Sequence, residues 1–182
     1  EEIISALFGY GQFDESSVEN SAKALYYFSI GLPAFAMIKV FSNFFFANHD
    51  TTSPFFISLV AVLLNIVISV YFFSSVGFII IPSATTISSW INFIILFVLL
   101  KKKDLFSFNN IFLKRFLKIV FSSILMGLFF NYLMILFSDQ LSFENSLKSL
   151  YLIISVLLGL SFYLLVSYLI KAFQLEDIKL KY

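Results

Sequence analysis

Residues 55–74 read FFISLVAVLLNIVISVYFFS, an uncharged and mostly apolar run. A helix that crosses ~30 Å of hydrocarbon needs roughly 20 such residues. Four further runs of about this length lie near residues 22–46, 77–100, 112–137 and 147–171. The sequence therefore predicts an all-α integral membrane protein with five transmembrane helices.

The composition excludes several other classes of protein. Hydrophobic residues make up 60% of the chain and charged residues 13%, so the helices lack the polar outer faces of a water-soluble fold. A net charge of +1 gives no basic field for nucleic acid. Since cysteine is absent and histidine occurs once, a disulfide framework, a reactive thiol and a multi-histidine metal site are excluded. No catalytic constellation is predicted.

The chain begins with Glu1-Glu2-Ile3, without methionine and without the basic region and cleavage site of a signal peptide. We therefore expect a fragment or a processed segment of a longer protein. The first complete helix is predicted to start at the capping box Ser16-x-x-Glu19. In the second helix, Ser53 is the predicted N-cap and Pro54 the first helical residue.

The distribution of basic residues predicts the orientation of the helices. The side that holds the 101–118 segment and the C-terminal tail carries nine Lys or Arg residues, whereas the other side carries two, Lys23 and Lys148. Cytoplasmic flanks of membrane helices collect Lys and Arg. We therefore expect the C-terminus and the loop at 47–54 in the cytoplasm, and the start of the chain and the loop at 138–146 outside.

Lys39 lies inside the first predicted helix, about two turns from its cytoplasmic end. An intramembrane charge is costly, on the order of 2.5–3.5 kcal/mol at a helix centre, so it usually faces a cavity or a partner. The alternative is that its long side chain reaches the nearby interface. Position alone favours neither interpretation.

The second and third helices carry a polar face. Asn65 and Ser69 are one turn apart on the second helix, and Pro82 precedes a polar stretch on the third that ends at Asn92. Ser and Thr in membrane helices mostly bond to their own backbone or pack against a neighbour, and composition favours that interpretation. Alternatively, a face with Asn65, Ser69, Thr85 and Asn92 lines a wet pathway.

Four stretches together resemble one family. They are Leu7-Phe8 with Gly11-x-Phe13-Asp14, then GLPAFAMIKV at 31–40, FFFANHDTTSP at 44–54 and ATTISSWIN at 84–92. In this order and spacing they closely resemble the MurJ (MviN) family of lipid II flippases. The resemblance covers residues 7–92, and the rest agrees in helix number, orientation and length.

The resemblance implies a fourteen-helix, two-lobe exporter of the multidrug/oligosaccharidyl-lipid/polysaccharide superfamily, of which this chain is the C-terminal third. Such a protein is a transporter in the bacterial inner membrane and not an enzyme. It moves undecaprenyl-linked peptidoglycan precursor from the inner to the outer leaflet by alternating access, for cell wall biogenesis. The implied partners are lipid II, membrane lipids and the preceding helices of the same protein, with no nucleic acid.

The resemblance also assigns roles to segments of the chain. These are an external loop with the end of a preceding helix (1–21), three helices of the second transport lobe (22–100), a basic cytoplasmic link (101–111), two helices that border a lipid-tail groove (112–171) and a cytoplasmic tail (172–182).

Individual residues match family positions as well. Lys39 matches a lysine that the family carries on its tenth helix, which raises the cavity interpretation above the interfacial one. Asp50, Thr51 and Pro54 match a cytoplasmic loop motif, in which Ser53 replaces a threonine.

Some members of the family are proposed to hold a cation, and Asn65 and Thr85 match ligand positions there. Ser69, however, stands where such a site has an aspartate. The loss of this carboxylate removes the best ligand for a hard cation, so sodium binding is not favoured. No cofactor is expected otherwise, and coupling to a monovalent cation or to the membrane potential stays open.

Two alternatives to a lipid II flippase remain. One is an oligosaccharide-lipid or polysaccharide exporter of the same superfamily. The other is a structural membrane subunit without transport activity, which the intramembrane Lys39 and the polar third helix disfavour. An integral-membrane transferase is weaker still, because clustered acidic or histidine residues facing one leaflet are missing.

Overall fold

A computed structural model describes residues 1–105, 110–143 and 145–172. These residues form six α-helices and no strand, which confirms the all-α prediction. One turn of 3-10 helix, Gly77–Ile79, joins the third helix to the fourth. The helices are α1 (Glu2–Phe8), α2 (Glu15–Ala47), α3 (Thr52–Val76), α4 (Ile80–Lys102), α5 (Asn110–Leu136) and α6 (Lys148–Leu169).

Five of these helices have the length of a membrane span. The stretches Glu15–Ala47, Thr52–Lys102, Asn110–Leu136 and Lys148–Leu169 are long and apolar enough to cross a bilayer. The second stretch comprises both α3 and α4, of 25 and 23 residues. At 1.5 Å per residue each of the two exceeds the ~30 Å of hydrocarbon.

The start of α2 differs from the prediction. α2 begins at Glu15, and the Asp14 carboxylate accepts hydrogen bonds from the Ser17 amide (2.9 Å) and the Ser16 hydroxyl (3.0 Å). The capping box that starts at Ser16 is therefore wrong. Asp14 comes earlier in the chain and its carboxylate satisfies a free N–H of the first turn, so the helix starts before Ser16.

The chain divides into two compact units, one of which is Glu19–Ser107. In this unit α3 and α4 form an antiparallel hairpin, and Gly77, with φ of +76°, makes the return. α2 runs along α4 in the same direction. The Thr86 hydroxyl donates to the Tyr27 carbonyl (2.7 Å), and the Trp90 indole donates to the Ile30 carbonyl (3.1 Å).

The core of this unit lies toward the ends of α2 and α4. It consists of buried side chains from all three helices, namely Phe41, Phe45, Ile57, Leu96 and Leu100. The ring of Phe41 stacks on those of Phe93 and Phe97, with centroids 5.5 and 5.9 Å apart. The apolar contact therefore fixes α2 against α4 where their polar contacts end.

The other unit joins Glu1–Val18 to the C-terminal helices. α5 packs along α6, where the rings of Phe129 and Phe162 stack with centroids 4.4 Å apart. α1 packs on α6 around the buried side chains of Ala6, Leu141 and Leu152. Parts of two predicted segments, 106–109 of the basic link and 173–182 of the tail, lie outside the described residues.

Gly31 allows α2 to approach α4 closely. A Cβ atom there would lie 2.9 Å from the Thr86 hydroxyl oxygen and 3.2 Å from the Phe35 ring. Gly31→Leu should therefore lower the free energy of unfolding by about 1–3 kcal/mol, the usual cost of overpacking. The measurement is thermal unfolding of the complete protein in detergent.

Gly127→Leu on α5 is the matched control, since a Cβ atom there meets nothing within 4 Å among the described residues. An equal loss of stability in both variants would contradict the close approach at Gly31.

Candidate functional site: a polar seam and a charged clasp

Polar side chains meet along the α3–α4 interface. The Asn65 amide donates to the Thr85 hydroxyl (2.9 Å), which donates to the Ile81 carbonyl (2.9 Å). Further along, the Asn92 amide lies 3.5 Å from the Ser58 hydroxyl. We call Ser58, Asn65, Ser69, Thr85 and Asn92 the α3–α4 seam. Three of the four residues predicted for a substrate pathway, Asn65, Thr85 and Asn92, thus lie together.

Two atoms of the seam keep unused hydrogen-bonding capacity. The Ser69 hydroxyl and the Asn92 carbonyl oxygen are buried and have no hydrogen-bond partner among the described residues. A buried polar group without a partner lowers stability by about 1–3 kcal/mol. The seam is therefore not satisfied entirely by its own contacts.

The seam is a poor fit for a sodium-type site. The hydroxyl oxygen of Thr85 already accepts from Asn65 and donates to the backbone. Ser69 contributes a neutral hydroxyl, and the described residues contain no group of three or more His, Cys, Asp or Glu that could hold a metal. Hard cations prefer several oxygen ligands that include carboxylates.

Lys39 lies away from the seam. The stripe of α2 that faces α4 contains the buried residues Gly31, Ala34, Phe41 and Phe45. Lys39 is exposed on a different face, which it shares with the exposed side chains of Leu32, Phe35 and Phe46. The structure therefore does not bring Lys39 together with Asn65, Thr85 and Asn92 within this unit.

The predicted loop motif forms a charged cluster. One oxygen of Asp50 accepts from the Ser53 amide (2.9 Å), and the other accepts from the Ser53 hydroxyl (2.7 Å) and the Lys103 ammonium (2.5 Å). The ammonium also lies 5.6 Å from the centre of the Phe45 ring. We call this the Asp50–Lys103 clasp, because it joins the ends of α2 and α4 to the start of α3.

The clasp corrects the predicted start of α3. The helix begins at Thr52, and the Asp50 carboxylate, not Ser53, provides the capping acceptor. Thr51 is exposed, and Pro54 is buried at the third helical position. A carboxylate suits this position because the first turn carries free N–H groups and a partial positive charge.

Lys103 is a residue whose role sequence reasoning missed. The sequence identifies it only as one of nine basic residues on the predicted cytoplasmic side. Its partner Asp50 lies 53 residues away in the chain, so no local spacing indicates the pair. The sequence shows only that the end of α4 is basic, and this does not indicate which residue Lys103 contacts.

Hydrogen bonds from the Lys103 ammonium, and then from the Ser53 hydroxyl and amide, hold the pKa of Asp50 well below its ordinary value of 3.8. Because the pKa of Asp50 is lower in the folded state, its carboxylate stabilises the fold fully at any pH above its pKa in the unfolded chain. This stabilisation is lost only as the pH falls from about 4 toward the folded pKa. The clasp therefore stays charged throughout the neutral range.

We expect Asp50→Asn and Lys103→Met to lower the thermal midpoint of the complete protein by similar amounts at neutral pH. The double substitution should lower it no further than either single one, because both changes remove the same interaction. Additive losses would contradict the clasp. Asp104→Asn and Lys102→Met, at exposed neighbouring positions, are the matched controls and should leave the midpoint unchanged.

The comparisons with known proteins agree with this architecture. The family model described as lipid II flippase MurJ matches residues 1–152. A probable lipid II flippase MurJ of Thermotoga maritima is 32% identical over 178 residues, which cover 98% of this chain and 34% of that protein. One of Rhizobium tropici is 28% identical over 172 residues, covering 93% of the chain and 32% of the relative. The chain thus spans about a third of the length of these relatives.

Proposed function

Because the chain belongs to the MurJ family of lipid II flippases, we propose that it is the C-terminal third of such a flippase. The protein would move undecaprenyl-linked peptidoglycan precursor from the inner to the outer leaflet of the bacterial cytoplasmic membrane by alternating access. The observation that carries this proposal is the similarity across 98% of the chain, which includes every described helix. The comparisons favour neither another exporter nor a structural subunit.

Long-range contacts support the proposed grouping of the loops on one side of the membrane. Lys103 at the end of α4 meets Asp50 in the α2–α3 loop, and both belong to the side with most basic residues. Lys118 near the start of α5 donates to the Lys171 carbonyl after α6, also on that side. Each contact joins segments that the positive-inside rule assigns to the cytoplasm.

The open face of α2 supports a transport role for Lys39. The three helices of its own unit leave this side chain uncovered. In the complete protein the missing helices would cover this face and form the cavity with it. There the ammonium would attract the phosphates of the lipid-linked precursor, which would offset the cost of keeping a charge within the membrane.

The seam and the C-terminal helices would serve other parts of the cycle. The hydrogen bonds between α3 and α4 keep the hairpin together as one element, and the free acceptors of Ser69 and Asn92 would be solvated when the path opens. Large apolar side chains cover the outer faces of α5 and α6, among them Leu128, Ile135, Leu157 and Leu165. Such a surface suits the long polyprenyl tail of the substrate.

We propose that the seam does not hold a sodium ion that drives transport, because it offers neutral ligands and the Thr85 oxygen is engaged. Coupling of the complete protein to another monovalent cation or to the membrane potential is part of this proposal.

Depletion of the complete protein tests the function directly. In a cell with no other flippase, precursor should accumulate on the inner leaflet, and labelling of lipid II from outside should fall. Normal outward labelling in the depleted cell would overturn the proposal.

In vesicles that hold the complete protein, replacement of sodium by potassium should leave labelling unchanged, and a loss of labelling would overturn sodium independence.

Substitution of Lys39 tests the cavity role. Lys39→Ala in the complete protein should fail to support growth, whereas Lys39→Arg, which keeps the charge, should retain part of the activity. Lys23→Ala is the matched control, since Lys23 is exposed and pairs with Glu19 on the surface (2.6 Å). Full growth with Lys39→Ala would contradict the cavity role and favour a Lys39 side chain that reaches the membrane interface.

A further inference from the structure

We propose that Lys148 is the anchor that fixes the segment Glu1–Val18 to the α5–α6 pair, so that this segment moves with the pair. Lys148 is 1% exposed, and its ammonium donates to the carbonyls of Gly9 (2.7 Å) and Phe143 (2.8 Å). Gly9 belongs to the segment and Phe143 to the α5–α6 loop. One side chain thus joins three parts of the chain.

Aromatic rings complete the surroundings of this ammonium. The centre of the Tyr10 ring lies 4.4 Å from the nitrogen, and that of the Phe143 ring lies 4.5 Å from it. The ion pairs found among the described residues do not include Lys148. Two carbonyl dipoles and two ring faces therefore replace the water that the ammonium loses on burial.

We call the two carbonyls and two rings around the ammonium, from Gly9, Tyr10 and Phe143, the Lys148 cage. Neighbouring contacts also hold the segment in place. The Ser149 hydroxyl donates to the Ala6 carbonyl (2.5 Å) and lies 2.7 Å from the Tyr10 hydroxyl. Gly9 has no room for a side chain, because a Cβ atom would lie 2.7 Å from the Ser5 carbonyl oxygen and 2.9 Å from the Phe143 ring. The backbone at Gly9 therefore reaches the ammonium only because this residue is glycine.

The position of Lys148 argues that the cage is a specific device. It is the first residue of α6, where the helix dipole disfavours a cation. It is also one of only two basic residues that the sequence places on the side opposite the basic cluster. Lys23, the other one, lies on the surface, and its ion pair is about half exposed. Lys148 alone of these two is buried.

The anchor accounts for an unexpected grouping of the chain. Glu1–Val18 ends in the first turn of α2, yet it forms a compact unit with α5 and α6. The boundary between the two units falls within α2, after Val18. With the anchor in place, a movement of the C-terminal pair would carry Glu1–Val18 with it. The inference rests on the contacts of Lys148 and does not depend on which substrate is transported.

Protection of a single cysteine tests the anchor. The described chain has no cysteine, and Ala6 is fully buried against α6. A cysteine introduced by Ala6→Cys in an otherwise cysteine-free complete protein should resist a water-soluble maleimide in membranes. Adding Lys148→Met, which keeps the stem and removes the charge, should speed labelling about tenfold or more, because two charge-assisted hydrogen bonds are lost.

Two controls make the result decisive. Lys23→Met should leave the labelling of position 6 unchanged. A cysteine introduced by Leu96→Cys, buried in the other unit, should stay protected when Lys148 is replaced. Faster labelling confined to position 6 would support the anchor. Unchanged labelling at position 6, or equal loss of protection at positions 6 and 96, would overturn it.

Discussion

Hydrocarbon offers no hydrogen-bond partner to a peptide group, so each backbone N–H and C=O within the membrane must find its partner inside the protein. Helices meet this requirement within a single segment, and the described chain is accordingly helical with short connections. The same constraint governs the hydroxyl groups of α4. Ser88 and Ser89 donate to the Thr85 carbonyl of their own helix, and Ser83 donates to the Ile79 carbonyl in the turn before it. Thr86 reaches the carbonyl of Tyr27 on α2. Most of the polarity of α4 is therefore used for packing.

Buried polar groups without a partner are not confined to the candidate site, because Ser5, Gln140 and Ser167 also carry such atoms among the described residues. Ser69 and Asn92 retain free acceptors in the seam, and Lys39 keeps a charge on the uncovered face of α2. A packing role explains Asn65 and Thr85, which complete each other's hydrogen bonds. It does not explain Lys39, because a charge within the membrane is costly and no described helix compensates it. The transport hypothesis therefore depends more on this residue than on the seam.

The lengths of the helices could be predicted from sequence because bilayer thickness sets them, and the apolar runs end close to where the helices end. The capping residues could not, since Asp14 and Ser16 both suit the start of α2 and only the backbone path decides between them. The family motif identified Asp50 but not its partner. For Lys103 and Lys148 the sequence predicts only the side of the membrane, because contacts over 53 and 139 residues leave no local pattern.

The two lysines act at opposite sides of the proposed topology and by different physics. The Asp50–Lys103 clasp is an ion pair whose side chains are 21% and 41% exposed. Dissolved ions therefore screen it, and strong acid protonates the Asp50 carboxylate. Among the described residues no carboxylate contacts the Lys148 ammonium, and Lys148 is buried, so dissolved ions screen its contacts much less. In the proposed alternating-access cycle, a connection that must open is better built from the first kind of contact. A connection that must hold through every state is better built from the second. On this argument the loop at Asp50 is suited to rearrange, whereas the join between Glu1–Val18 and α6 is suited to persist.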